Sequence, residues 1–186
     1  MKLIIGLGNP GKEYVTTRHN AGFLALDAFC EDMDGVWKAD DKRKADVCKV
    51  TVEDEDVVLA KPNTFMNNSG DAAAALVSFY KVKTENVLVV HDELDIEPGQ
   101  IRFKASGGDA GHNGVSSVLE RLGTDKIARL RLGIGRPGGD HKQPTQDYVL
   151  GELSPKDAPN VIDTSSAMRD WIEGGLEKTM NKWNKR

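Results

Sequence analysis

Val87-Leu88-Val89-Val90 is an unbroken apolar run, followed at once by His91-Asp92-Glu93-Leu94-Asp95. A strand with one wet face alternates polar and apolar residues, whereas a run that does not alternate reads as a central strand covered on both faces. The run therefore calls for helices on both sides of a sheet. It also delivers His91 and Asp92 to the carboxyl end of a central strand, where open α/β sheets place their ligand crevice.

The rest of the chain fits around that strand. Lys2 to Leu7 reads as a buried strand ending in glycines, and Asn20 as the cap of a helix with Phe23, Leu26, Phe29, Cys30 and Met33 on one stripe. Glu31 to Asp41 is an acidic connection, Lys44 to Val52 and Val57 to Lys61 form a hairpin about Glu53–Asp56, and Ser69 caps a helix through Tyr80. Gln100 to Lys104 and Ala128 to Ile134 alternate apolar residues with bases, which sends Arg102, Lys104, Arg129 and Arg131 outward. If these strands are neighbours, their outward faces make a basic patch. Asn113 to Leu122 is a short helix, two helical stretches around Ala158–Trp171 and Leu176–Trp183 close the chain, and Arg136-Pro137-Gly138-Gly139-Asp140 is a loop prone to mobility. The expected architecture is α/β, with a twisted mixed β-sheet surrounded by α-helices.

With 186 residues the chain suits one domain over residues 1–186, its last helices (153–186) having the least defined role. No leader-like run opens it and no segment approaches the roughly 20 apolar residues of a membrane span, so a cytoplasmic protein without a membrane partner is expected. Cys30 and Cys48 lack CxxC spacing and read as buried free thiols. A net charge of -4 argues against a nucleic-acid binder, yet Gly99 to Lys142 holds eight bases against four acids, so the positive charge is concentrated there.

Three of the four histidines lie beside carboxylates and carboxamides, in Thr17-Arg18-His19-Asn20, His91-Asp92 and Gly111-His112-Asn113. A His oriented by an Asp takes a proton from water near neutral pH, and Asn side chains bind a developing oxyanion without adding charge, so the pattern points to hydrolysis. His19 and Asp92 are the candidate catalytic pair, with His91 and Asp95 structural or solvated. Gly6-Leu7-Gly8-Asn9-Pro10-Gly11 fits a dinucleotide fingerprint and the start of a P-loop. However, Glu13 replaces the P-loop hydroxyl, and β-branched Val15-Thr16-Thr17 is a poor helix start. The chain has no HExxH, no paired Cys and no GxSxG, so neither a metal nor a serine nucleophile is expected, and activated water remains. In Pro62 to Gly70, Phe65 and Met66 stand in a polar loop, where an aromatic beside carboxamides can stack on a base while the amides hold a carbonyl. Lys104 to Gly114 is a glycine-rich loop whose amides suit a phosphate or carbonyl oxygen.

Taken in order, Ile5–Gly11, Thr17–Gly22, Lys61–Gly70, His91–Asp95, Pro98–Gly114 and Arg129–Gly135 resemble bacterial-type peptidyl-tRNA hydrolase, from Lys2 to about Leu153. The resemblance implies a single α/β domain that hydrolyses the ester between a peptide and the terminal ribose of tRNA, with no cofactor. It implies that His19 activates water with Asp92 orienting it, that Asn9 and Asn67 hold the peptide main chain, and that Asn113 sits near the terminal adenosine. Tyr14, Phe65, Met66 and His112 are implied to line the cleft. Lys104 and Arg131 are implied to clamp the 5'-phosphate of the peptidyl-tRNA acceptor end, with Arg129 adding to that surface. A monomer is expected. Ser106 and Asp109 depart from the family's more uniformly glycine loop. Two rivals remain on residues alone: a tRNA- or ribosome-binding protein without turnover, and a nucleotide-dependent enzyme built on Gly6 to Lys12.

Overall fold

The computed structural model describes residues 1–137, 143–154 and 161–184. Seven strands, β1 (Lys2–Gly6), β2 (Lys38–Asp40), β3 (Ala45–Val52), β4 (Glu55–Pro62), β5 (Val87–Glu93), β6 (Ile101–Lys104) and β7 (Ala128–Gly133), form one sheet in the order β2-β3-β4-β1-β5-β7-β6. The central strands β4, β1, β5 and β7 run parallel, while β2, β3 and β6 join antiparallel at the flanks, so the sheet is mixed as expected.

Both faces are covered. Period two along β1 and β5 sends Leu3, Ile5, Val87 and Val89 to one side, where Leu76 of α2 (Ser69–Tyr80) and Val115 of α3 (Asn113–Leu122) pack on them. Ile4, Leu88 and Val90 point the other way, against Phe29 of α1 (Ala21–Asp32) and Trp171 of α5 (Val161–Trp183). Leu76 is fully buried, and truncating it to Ala costs about 2–5 kcal/mol. A small third cluster, Ile134, Val149 and Leu153, seats the short α4 (Thr145–Val149) beside the sheet's carboxyl end.

Two local readings change. The connection before β3 contains β2, three residues paired from Lys38↔Val47 to Asp40↔Ala45. Neither Asn20 nor Asn68 caps a helix through its side chain, and Ser69 Oγ instead donates to the Met66 carbonyl at 2.9 Å. The two closing helical stretches stand as expected: α5 is parted at Gly175, whose φ of 75° and ψ of 174° no helix allows, so the second stretch opens at Leu176, and the expected start near Ala158 lies outside the described residues. The glycines of the Arg136–Asp140 loop lie outside them too. Past the end of α5, Asn184 binds the edge strand β6. Its Oδ1 accepts from Phe103 N–H at 2.8 Å and its Nδ2 donates to Phe103 C=O at 3.0 Å. Cys30 and Cys48 are free and buried with sulfurs 2.9 Å apart. Burial, followed by the contact with Cys48, pushes the Cys30 thiol up to about 12, which leaves it unreactive.

Candidate active site

Asp92 is the penultimate residue of the buried β5 and is 3 % exposed. Its Oδ1 lies 3.0 Å from His19 Nδ1 and 2.9 Å from His112 Nε2, so one carboxylate holds two imidazoles from separate loops. His19 stands on the 3-10 turn Arg18–Asn20, just ahead of α1. Two glycines set its distance from Asp92. A Cβ at Gly22 would collide with the Val90 carbonyl and the Leu7 backbone, and one at Gly6 would collide with the Gly22 carbonyl, so α1 begins backbone to backbone against β1 and β5.

Hydrogen bonds fix the tautomers. His112 precedes α3, and Val115 N–H donates to its Nδ1 at 3.3 Å. An amide can only donate, so the ring proton sits on Nε2 and is given to Asp92. His19 donates Nδ1–H to the same carboxylate, which leaves Nε2 as a free acceptor on a ring that lines the cleft. Burial alone would raise the Asp92 carboxyl, but His112 and then His19 hold it well below the usual carboxylate range. His91 packs its ring edge-on against His112, 4.8 Å between ring centres, but does not bond the Asp92 carboxylate. Its Nδ1 donates to the Asp92 carbonyl at 2.6 Å, and burial, then the neighbouring His112, lowers it to about 3.

The three potential ligand atoms of His19, Asp92 and His112 lie within 4.8 Å of one another, as a metal would need. Both Asp-facing nitrogens carry hydrogens, however. Moving the His112 proton to Nδ1 would set it against Val115 N–H, so the donor chemistry fits a hydrogen-bonded triad better than a metal site.

The triad opens into a cleft of about 640 Å³. Asn9, Phe65, Met66, Asn67, His112 and Asn113 line it, and Phe65 is 61 % exposed there. Asn9 is 8 % exposed, and its Oδ1 accepts from Met66 N–H at 2.8 Å, so Nδ2 is the end left to donate to a ligand. Its main chain is held by Asn20, a residue that sequence reasoning assigned to helix capping. Tyr14 is half-buried on the 3-10 turn Lys12–Tyr14 and does not line this cleft. The opposite wall, Thr145, Gln146, Val149 and Leu150, was absent from the sequence reading. It is tied to the His19 loop. Arg18 N–H donates to Gly151 C=O at 3.0 Å, Leu153 N–H to Thr16 C=O at 2.8 Å, and the Arg18 guanidinium lies 4.3 Å from the Tyr148 ring centre.

The glycine loop after β1 leads to that 3-10 turn rather than to a helix, and α1 opens only at Ala21. The amide-rich helix end that a dinucleotide or P-loop needs is therefore missing where the motif requires it.

β6 and β7 are antiparallel neighbours, with Arg102 opposite Arg131 and Lys104 opposite Arg129, as the basic-patch reading expects. Arg102 is exposed, Lys104 is half-buried, and Arg131 pairs with Glu93 at 3.5 Å. Burial, then Arg129 and Arg131, pushes the Lys104 ammonium down. Arg129 departs from the outward reading. It is 2 % exposed because the 107–108 loop folds over it, with Nη1 donating to Gly108 C=O at 2.8 Å and Nη2 to Gly107 C=O at 2.6 Å.

Known proteins match along the whole chain. The family model described as Peptidyl-tRNA hydrolase covers residues 3–186. A peptidyl-tRNA hydrolase of Neisseria meningitidis serogroup A is 49 % identical over 182 residues, spanning 96 % of this chain and 94 % of that one. One from Desulforamulus reducens is 38 % identical over 190 residues, spanning 100 % and 90 %. The crystal structure of peptidyl-tRNA hydrolase from Acinetobacter baumannii superposes with a TM-score of 0.89 at 36 % identity, over 99 % of this chain and 94 % of that one. With the motif order, the fold and these relatives in agreement, the chain belongs to the peptidyl-tRNA hydrolase family.

Proposed function

We propose that the chain hydrolyses the ester joining a peptide to tRNA, freeing the tRNA for reuse, by water that His19 activates with Asp92 in support. The observation that carries this reading is the shared Asp92 carboxylate, which takes His19 Nδ1–H and leaves Nε2 as the acceptor of a ring that lines the cleft. His19 Nε2 takes a proton from water as the water oxygen attacks the ester carbonyl carbon. The tetrahedral intermediate then breaks its bond to the ribose oxygen, which receives that proton from the imidazolium. His112 has both nitrogens engaged and serves to orient Asp92.

Asn9 Nδ2 and Asn67 are assigned to the peptide main chain beside the ester, and Asn113, at the start of α3, to the oxyanion side near the terminal adenosine. Phe65 offers an exposed ring to a base or side chain of the acceptor end. Lys104 and Arg131 are assigned to the tRNA 5'-phosphate, a contact that weakens with salt. The reading takes the enzyme to act as a monomer in the cytoplasm. Among the described residues no helix is long and apolar enough to cross a membrane.

The test is release of N-acetyl-aminoacyl groups from tRNA by the purified protein and by His19→Ala, with and without chelator. Chelator-resistant hydrolysis that disappears in the variant supports the reading. A folded wild type that binds tRNA without releasing the acyl group would mark a binding protein instead.

A further inference from the structure

Arg129 is a cation almost wholly removed from water, and among the described residues no carboxylate forms an ion pair with it. Such burial is costly unless negative partial charge compensates it. Here the direct compensation is the pair of carbonyls of Gly107 and Gly108, each taken by a separate arm of the guanidinium fork, with the fields of Asp125, Asp109 and Glu93 adding to it from farther off. The loop is fixed at further points. Gly107 has a φ of 105°, a conformation that suits glycine, and its N–H donates to Asp125 C=O at 3.1 Å. The Gly108 carbonyl that Arg129 holds also accepts from Lys104 Nζ at 3.4 Å. Lys104 and Arg129 are cross-strand partners, so the cation beneath and the cation at the surface share one acceptor.

We infer that Arg129 is a positioning residue for the anion site: its fork holds the Gly107–Gly108 carbonyls so that Lys104 is ordered for a terminal phosphate, without itself touching that phosphate. This rests on the assignment of Lys104 to the tRNA 5'-phosphate. A guanidinium spanning two carbonyls has a geometric task that an ammonium cannot perform, whereas a direct phosphate contact or a plain field effect needs only charge.

The experiment is a double-mutant cycle on binding of uncharged tRNA bearing a 5'-phosphate, with the same tRNA bearing a 5'-hydroxyl as control. Lys104→Ala is combined with Arg129→Gln and with Arg129→Lys. Both Arg129 variants are expected to weaken binding about tenfold alone and to add nothing in the Lys104→Ala background, because they act through Lys104. With 5'-hydroxyl tRNA all of these effects should shrink together. Wild-type affinity in Arg129→Lys, or additive losses in the double variants, overturns the inference. If Arg129→Gln does not fold, the Arg129→Lys arm decides alone. Unchanged binding and salt dependence in Lys104→Ala would instead remove the phosphate assignment itself, an outcome distinct from loss of coupling.

Discussion

Asn20 grips Asn9 by both of its main-chain polar groups: Asn9 N–H donates to Asn20 Oδ1 at 2.9 Å, and Asn20 Nδ2 donates to Asn9 C=O at 3.0 Å. Asn20 is 2 % exposed, so its replacement by Ala leaves two buried groups unpaired, at about 1–3 kcal/mol each. Asn20→Ala is expected to lower stability in urea unfolding. It should also lower kcat/KM about tenfold or more, since the Asn9 amide loses its fixed aim into the cleft. Full activity with lost stability would make the clasp purely structural.

Asp92→Asn tests the triad. His112 must still donate Nε2–H, because Val115 N–H occupies its Nδ1, so the new carboxamide keeps its oxygen at the shared position and puts its NH2 at the second one, 3.1 Å from His19 Nδ1, where two hydrogens would meet. That favours a proton on His19 Nε2, the wrong tautomer for a base. Turnover should fall about 10³- to 10⁴-fold with the fold intact, by analogy with the Asp of a Ser-His-Asp triad, as steady-state kinetics and circular dichroism would show.

Acid stability should trace to His91. Its folded value of about 3 lies below its ordinary 6.5, so as pH falls through this window the unfolded chain binds a proton that the folded chain refuses. Stability is whole above 6.5 and declines toward 3, by about 2–3 kcal/mol between pH 6.5 and 4.5. His91→Gln should flatten that decline in urea titrations at the two pH values. An equal slope in variant and wild type would shift the effect to other groups.

The α4 wall should depend on Arg18. Its guanidinium stacks on Tyr148 and its Nη1 donates to the Tyr148 carbonyl at 3.3 Å, while Tyr148 OH donates to Ile134 C=O at 2.7 Å. Arg18→Ala removes the contacts of its side chain to a segment that carries Val149 and Leu150 into the cleft. KM should rise several-fold with a smaller change in kcat, a loss of about 1 kcal/mol in binding. Tyr148→Phe keeps the ring and the carbonyl and should lose less.

What could be read without coordinates follows from what each pattern encodes. Val87–Val90 announced a strand buried on both faces because burial on both faces erases alternation, and β5 is buried throughout. His19 and Asp92 were legible as residue types at loop and strand end, and 3.0 Å separates the interacting atoms. Period two told which way Arg129 leaves its strand but not that a glycine loop folds over that side. Asn20 has the residue type of a helix cap, and nothing local reveals that its partner lies 11 residues back. β2 is three residues with two exposed, and α4 begins with exposed Thr145, Gln146 and Asp147, so neither is long enough to show a period.

The Asn184 side chain occupies both main-chain groups of Phe103 on β6, the outermost strand on its side. A strand from another molecule seeking to extend the sheet there would find that pair of hydrogen bonds already taken and would have to evict an amide first. On the far side the sheet stops at β2, only three residues long. Its two margins are thus poor templates for strand addition, which guards against self-templated aggregation.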